Sequence, residues 1–160
     1  MRKKEREITD RLEIETVLKT ARILRLAITD PDGPPYIVPV NFGYRDGTIY
    51  FHGAYQGTKM ELIAKNPNVS FQVEADVSII VPTDRTKACE WGAAYRSVIG
   101  HGRAVLLKDP EEKREGLRVV MSGVAPDIDP ASFALPEKMV SITAVVRIDI
   151  EHMTGKKNRV

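Results

Sequence analysis

This 160-residue chain has one cysteine, one tryptophan and three histidines, and each scarcity removes a class of protein. A single cysteine, Cys89, can form neither an internal disulfide nor a multi-cysteine zinc site, which fits a reducing cytoplasm. Nowhere do about 18 apolar residues run uninterrupted, and no apolar stretch follows the charged start MRKKEREITD. Neither a membrane segment nor a signal peptide is expected, and the protein is read as soluble and cytoplasmic. A strong excess of one charge is also missing: charged residues make up 29% but the net charge is only +2. Without a broad basic field, nucleic acid is a poor partner. The motifs G-x-S-x-G and G-x-G-x-x-G do not occur, so hydrolase and Rossmann readings have no support. His52, His101 and His152 lack i, i+4 pairing and a nearby acid cluster, and no metal site is expected. Cys89 is followed by Glu90, whose charge is wrong for activating a thiol, and a buried, inert cysteine is expected.

What the chain does contain is organised around Val38 to Lys59, VPVNFGYRDGTIYFHGAYQGTK. An apolar strand, a turn at Arg45-Asp46-Gly47 and a second strand ending at His52 form a β-hairpin pattern. The loop that follows, Gly53 to Lys59, places a glycine, a hydroxyl and a lysine at the first turn of a helix over 59–64. Free backbone N–H groups and the helix dipole favour an anion there, so Gly57, Thr58 and Lys59 form a candidate phosphate cradle. His52, at the strand end, could donate a hydrogen bond or move a proton near neutral pH to whatever the cradle holds. The plainer alternative is a simple helix start with Lys59 in solvent.

The rest of the chain falls in around this stretch. Asp10 caps a helix over 10–21, with Ile14, Val17, Leu18 and Ala21 on one face. Ile23 to Thr29 is a strand closed by a turn at Asp30-Pro31-Asp32-Gly33. Tyr36 to Tyr44 is the next strand, and Pro39, which cannot donate to a ladder, marks it as an edge or a bulge. Thr48 to His52 and Val69 to Ala75 are further strands, the helix between them stopping at Asn66-Pro67. From Asp76 to Ala94 a short strand and a long loop are expected, with Trp91 and Tyr95 either lining a pocket or anchoring the loop. Tyr95 to Leu107 is a long strand, with a bulge or a close approach near Gly100 and Gly102. Asp109-Pro110-Glu111-Glu112 starts a helix closed by Ser122-Gly123. Ala125 to Pro136 is a loop, Met139 to Ile150 a final strand, and HMTGKKNRV a polar tail. Six or seven strands in hairpin order with two or three short helices predict one domain over 1–160. Its class is mainly β, an antiparallel sheet that closes or nearly closes into a small barrel.

The ordered segments ARILRLAI, PYIVPVNFGYRDGTIYFHGAYQGTKMELIAKNPNVSF, CEWGAAYRSVIGHGRA and IEHMTGK resemble the pyridoxamine 5′-phosphate oxidase-like flavoproteins, specifically the nitroimidazole-resistance (Nim) branch. The resemblance covers about Glu5 to Lys157 and rests on the order and spacing of all the segments. It implies a Greek-key-like split β-barrel homodimer with FMN at the subunit interface. Val38, Pro39, Val40 and Asn41 would line the flavin, His52, Gly53 and Ala54 would follow the ring and ribityl chain, and Gly57, Thr58 and Lys59 would hold the phosphate. Arg96, Ser97, Val98 and Ile99 would meet the flavin from the other side, and the position of His52 is also implicated in substrate or redox chemistry. The implied activity is FMN-dependent reduction of small electron-poor, nitroaromatic-like substrates. A flavin-nucleotide carrier without turnover, and haem or deazaflavin on the same barrel, stand as alternatives. Met153 occupies the place of the tryptophan in the family's W-[ST]-G-K motif. The Arg-x-x-Pro ending of true pyridoxamine phosphate oxidases is absent, so vitamin B6 synthesis is not implied.

Overall fold

A computed structural model describes residues 3–31 and 33–158. Asp32, in the first expected turn, lies outside the described residues, as do the last two residues of the tail. After a short strand β1 (Glu7–Ile8), Asp10 accepts a hydrogen bond from the Leu12 N–H and starts α1 (Arg11–Thr20). The helix buries Ile14, Val17 and Leu18, the face set by the 3.6-residue period. β2 (Leu24–Ile28) and β3 (Tyr36–Val40) form an antiparallel hairpin. A single residue, Asn41, then separates β3 from β4 (Phe42–Arg45). Asp46 and Gly47 take φ of 49° and 80°, the left-handed pair that a two-residue hairpin requires, and lead into β5 (Thr48–Gly53). α2 (Thr58–Lys65), β6 (Asn68–Ile80), β7 (Gly92–Leu106), α3 (Pro110–Val124), α4 (Glu137–Ile142) and β8 (Ala144–Asn158) complete the chain.

The described strands form one antiparallel sheet in the order β3-β2-β6-β7-β8-β5-β4, with β1 added along β8. The antiparallel class expected from the sequence holds, with eight strands rather than six or seven. The hydrogen-bonded path stays open: β3 and β4 are its two ends, joined through Asn41 but not paired. Pro39 sits on the edge strand β3, where its missing N–H leaves no ladder bond unmade.

Four boundaries differ from the sequence reading. The one strand expected over Tyr36 to Tyr44 is two, β3 and β4, parted at Asn41. β6 continues past Ala75 to Ile80 through a bulge, with Asp76 at φ 55°, and pairs Ile80 with Gly92. The expected strand over 139–150 begins as helix α4, which buries Val140. Six helical residues span less than two turns, too few for a period to show, and the alternating apolar residues read equally well as strand. The polar tail is strand: β8 runs to Asn158, pairing with β7 and, at Gly155 and Lys156, with β1. Backbone hydrogen bonds on both sides hold such a segment whatever its side chains.

The inner face of the sheet, with α1 and α2, encloses the main core, in which Phe42, Phe51, Phe71, Leu24, Leu26 and Val98 are fully buried. The outer face is divided. Over β5 and the start of β8 it is covered by α3 and α4, where Leu107, Leu117, Val140 and Val145 form a second core. Over β3, β2, β6, β7 and the far half of β8 it is bare, and Ile37 and Ile99 remain 65% and 58% exposed. A bulge at His101/Gly102 against Ile150 and His152 falls in this bare half, as the glycines predict. The close approach at Gly100 is also present, and the ring beside it is Phe71 from the core. None of the described helices is long and apolar enough to cross a membrane.

Candidate functional site

α2 begins without a side-chain cap. Gly57, at φ 115°, accepts from the Met60 and Glu61 N–H groups through its carbonyl. A non-glycine residue at that φ is strained. No helical acceptor exists for the first N–H groups of any helix, so those of Thr58 and Lys59 point out of an open, positive end. The Lys59 ammonium sits 5.1 Å from the centre of the Phe51 ring and 3.3 Å from where a Cβ on Gly53 would stand. Gly53 is therefore the space into which Lys59 folds, and Lys59, Gly53, Thr58 and Gly57 stand together at this helix end. Partial burial lowers the Lys59 pKa.

His52 precedes Gly53 and pairs with Val145 of β8. Partial desolvation of an imidazole that remains exposed on one side, and secondarily the positive charge of Lys59, push its pKa below the ordinary histidine value. The imidazole is thereby held neutral at pH 7, able to donate from one ring nitrogen and accept at the other. A folded-state pKa below the unfolded value means that the unfolded chain takes up the proton first. His52 thus costs stability as pH falls through the ordinary histidine range near 6.5, and leaves stability untouched above it. An NMR titration should give His52 a midpoint below that range, and Lys59→Met should raise it by removing one of the two causes. A midpoint insensitive to Lys59→Met would separate the two residues.

The structure brings only part of the predicted set together. Asn41 directly precedes Phe42, which faces Phe51, so Asn41 stands at the His52 end of the sheet. Ala54 and Tyr55 are exposed in the loop between β5 and α2. Val38 and Val40 turn toward the core, while Pro39 faces outward in one row with Arg25, Gln72 and Ile99. Of the β7 residues, Val98 is fully buried and offers only backbone to a ligand. Ser97 Oγ donates to the Lys156 carbonyl and Arg96 pairs with Asp76. On β8, His52 lies opposite Val145, whereas Ile99 to Arg96 lie opposite Thr154 to Lys157. At about 3.3 Å per residue this is a separation of roughly 30 Å along the strand. One chain therefore does not bring these two groups of predicted residues together.

Several features are visible only in three dimensions. Lys113 of α3 is 3% exposed; its ammonium donates to Tyr55 Oη at 3.0 Å and to the carbonyls of Val140 and Ser141 at the end of α4. This clamp ties the cradle loop to α3 and α4. Its sequence signal was only a lysine out of place on an otherwise apolar face, one turn before Leu117. Cys89 is exposed, contrary to expectation, because the 81–91 loop lies at the tip of the β6–β7 hairpin beyond the core. Trp91 Nε1 donates to the Arg85 carbonyl in that loop and anchors it. Met153 packs against the main core, so this side chain does not wall a pocket on the outer face. His101 and His152 are not isolated: they face each other across β7 and β8.

A model of the family described as pyridoxamine 5′-phosphate oxidase matches residues 10–157. No curated protein matches the chain. Among solved structures, a candidate 5-nitroimidazole antibiotic resistance protein from Bacteroides thetaiotaomicron is similar at 29% identity and a TM-score of 0.80, covering 94% of this chain and 85% of that one. An FAD-binding protein from Mesorhizobium loti is 27% identical with a TM-score of 0.66, over 96% and 97% of the two chains. An FAD and haem binding protein from Mycobacterium smegmatis, 20% identical, shares the fold with a TM-score of 0.83 over 97% and 74%.

Proposed function

Because this chain belongs to the pyridoxamine 5′-phosphate oxidase family, we propose that it is a cytoplasmic FMN-dependent reductase. It binds the flavin between two copies of itself and passes electrons to small electron-poor acceptors of the nitroaromatic kind. The observation that carries this reading is the cradle: an open helix end at Gly57, a lysine folded over Gly53, and a neutral imidazole next to both. A single phosphate monoester suits one helix end and one ammonium, which favours FMN. The similarity to a candidate nitroimidazole resistance protein and to an FAD-binding protein supports both the flavin and the acceptor class.

Bound flavin supplies the hydride or electron transfer that no side chain can perform. The chain's own residues bind and orient it. The Thr58 and Lys59 N–H groups and the Lys59 ammonium take the phosphate, and Asn41 and His52 meet the ring system. The neutral His52 imidazole can donate a hydrogen bond from one ring nitrogen to the flavin or the acceptor and accept one at the other. The half-site of Asn41 with 52–59 and the half-site of 96–99 are completed by a homodimer, in which the bare apolar face with Ile37 and Ile99, around a shallow cavity of ≈ 310 Å³, meets the partner.

Absorption spectra of the purified protein with FMN, then with NAD(P)H under anaerobic conditions, test this reading, together with light scattering. Flavin bands that bleach on reduction and return with a nitroaromatic acceptor, on a dimer, are expected. Flavin that binds but never bleaches would make the protein a carrier. A haem Soret band, or a flavin-loaded monomer, would overturn the reading.

A further inference from the structure

Among the described residues, Lys113 of α3 is the one charged side chain that is buried, at 3% exposure. The ammonium has three donors, and all three are used: Tyr55 Oη lies 3.0 Å away, the Ser141 carbonyl 3.4 Å, and the Val140 carbonyl takes the third. All three acceptors are uncharged. Removing an ammonium from water without a carboxylate beside it is strongly unfavourable, and a methionine would fill the same place on the face shared with Gly116, Leu117 and Val120. The two carbonyls end α4, where a helix carries partial negative charge, so a lysine there acts as a plain cap. The bond to Tyr55 has no such local reason.

That bond reaches the flavin end of the sheet. Val140 and Ser141 lead into β8, whose Ala144 and Val145 pair with Gly53 and His52. Tyr55 follows Gly53 by two residues and precedes the open helix end at Gly57 by two. Among the described residues, no backbone hydrogen bond holds Ala54, Tyr55 or Gln56, and the bond from Lys113 is the one that fastens this loop. Its anchor is rigid. A Cβ on Gly116, one turn after Lys113, would come within 2.9 Å of Val145 Cγ1 and 3.0 Å of Tyr50 Cδ1, so α3 lies close against β5 and β8.

We propose that Lys113 is a positioning residue for the ligand phosphate: through Tyr55 Oη it holds the loop so that the Thr58 and Lys59 N–H groups stay presented at the start of α2. A loop free to leave this arrangement would present the helix end for only part of the time, and the apparent affinity falls by that fraction. The loss falls on a ligand that uses the helix end, on FMN rather than riboflavin. The role rests on the flavin reading. It needs neither side chain to be reached from solvent, so a partner subunit standing over 52–59 leaves it intact.

Tyr55→Phe is the sharpest test, because it keeps the ring and removes only the acceptor. Tyr55 is 45% exposed, so water can take the lost bond, and circular dichroism and the melting temperature should change little. In the flavin-free protein, the Met60 and Glu61 amides, both bonded to the Gly57 carbonyl, should exchange with deuterium roughly threefold faster or more. In fluorescence titrations FMN should bind roughly fivefold or more weakly, and riboflavin within a factor of about two of the unaltered protein. Lys113→Met should act in the same direction, and the double variant should weaken FMN no further than Lys113→Met alone, since one bond is lost in either case. A general loss of stability would lower both affinities together and leave their ratio unmoved. An unchanged FMN-to-riboflavin ratio in Tyr55→Phe, or unchanged exchange at Met60 and Glu61, would overturn the positioning role while the flavin reading stands. Failure of the unaltered protein to bind FMN would remove the flavin reading itself, and this role with it.

Discussion

Lys59→Ala is expected to weaken FMN binding by roughly 1.5–3 kcal/mol, about 10- to 150-fold, while leaving riboflavin affinity nearly unchanged. The ammonium folds over Gly53 and the Phe51 ring, at the same end of α2 as the unpaired Thr58 and Lys59 N–H groups. Its partial burial, which lowers its pKa, means that it meets an anion in a less screened setting than a surface lysine would. Riboflavin carries no phosphate and should not register the loss. Parallel fluorescence titrations of the two ligands decide the matter: equal losses would remove the cradle from phosphate binding, though not the flavin from the protein. Raising the salt concentration should weaken FMN binding to the unaltered protein more than to Lys59→Ala.

The second large effect lies in the core. Phe71 of β6 is 1% exposed, and Gly100, its direct partner on β7, faces the same ring. A Cβ at Gly100 would come within 2.4 Å of Phe71 Cζ and 2.7 Å of the His152 carbonyl oxygen. Phe71→Ala should cost about 3–5 kcal/mol through lost burial and the cavity left behind, lowering the melting temperature by roughly 10 °C. Gly100→Ala should cost about 1–3 kcal/mol or more by overpacking. In the double variant the ring is gone, so the new methyl meets only the His152 carbonyl. Its loss should fall short of the sum of the two single losses by at least ~0.5 kcal/mol in denaturant unfolding. Strict additivity would mean that the two positions do not share their packing.

The same pair shows how a glycine signal is read. Gly100 was legible as a place where something comes close, because a glycine inside a strand pattern has few other uses. Which group comes close was not legible, since that is fixed by the β6–β7 register, and the group is a core phenylalanine. The caps at Asp10 and Asp109, the Asp46-Gly47 turn and the start of α2 were equally legible, because each is settled by a few adjacent residues. The boundaries of β6, α4 and β8 were not. A bulge at Asp76, a helix shorter than two turns and a polar strand held on both sides are decided by neighbours distant in sequence.

For the site, the sequence by itself determined the open helix end with its lysine, since His52 to Lys59 is one short run and helix-end physics acts within one turn. It also determined the mainly β, antiparallel class, through hairpin spacing and period-two alternation. Only the tertiary structure decided how far apart the two halves of the predicted flavin site lie, because their separation is a register along β8. It alone placed Lys113 under Tyr55, Cys89 at the surface and His101 opposite His152. Each of these depends on which strand or helix lies beside which, and pairing between distant segments is set by the packing of the whole sheet rather than by any local run of residues.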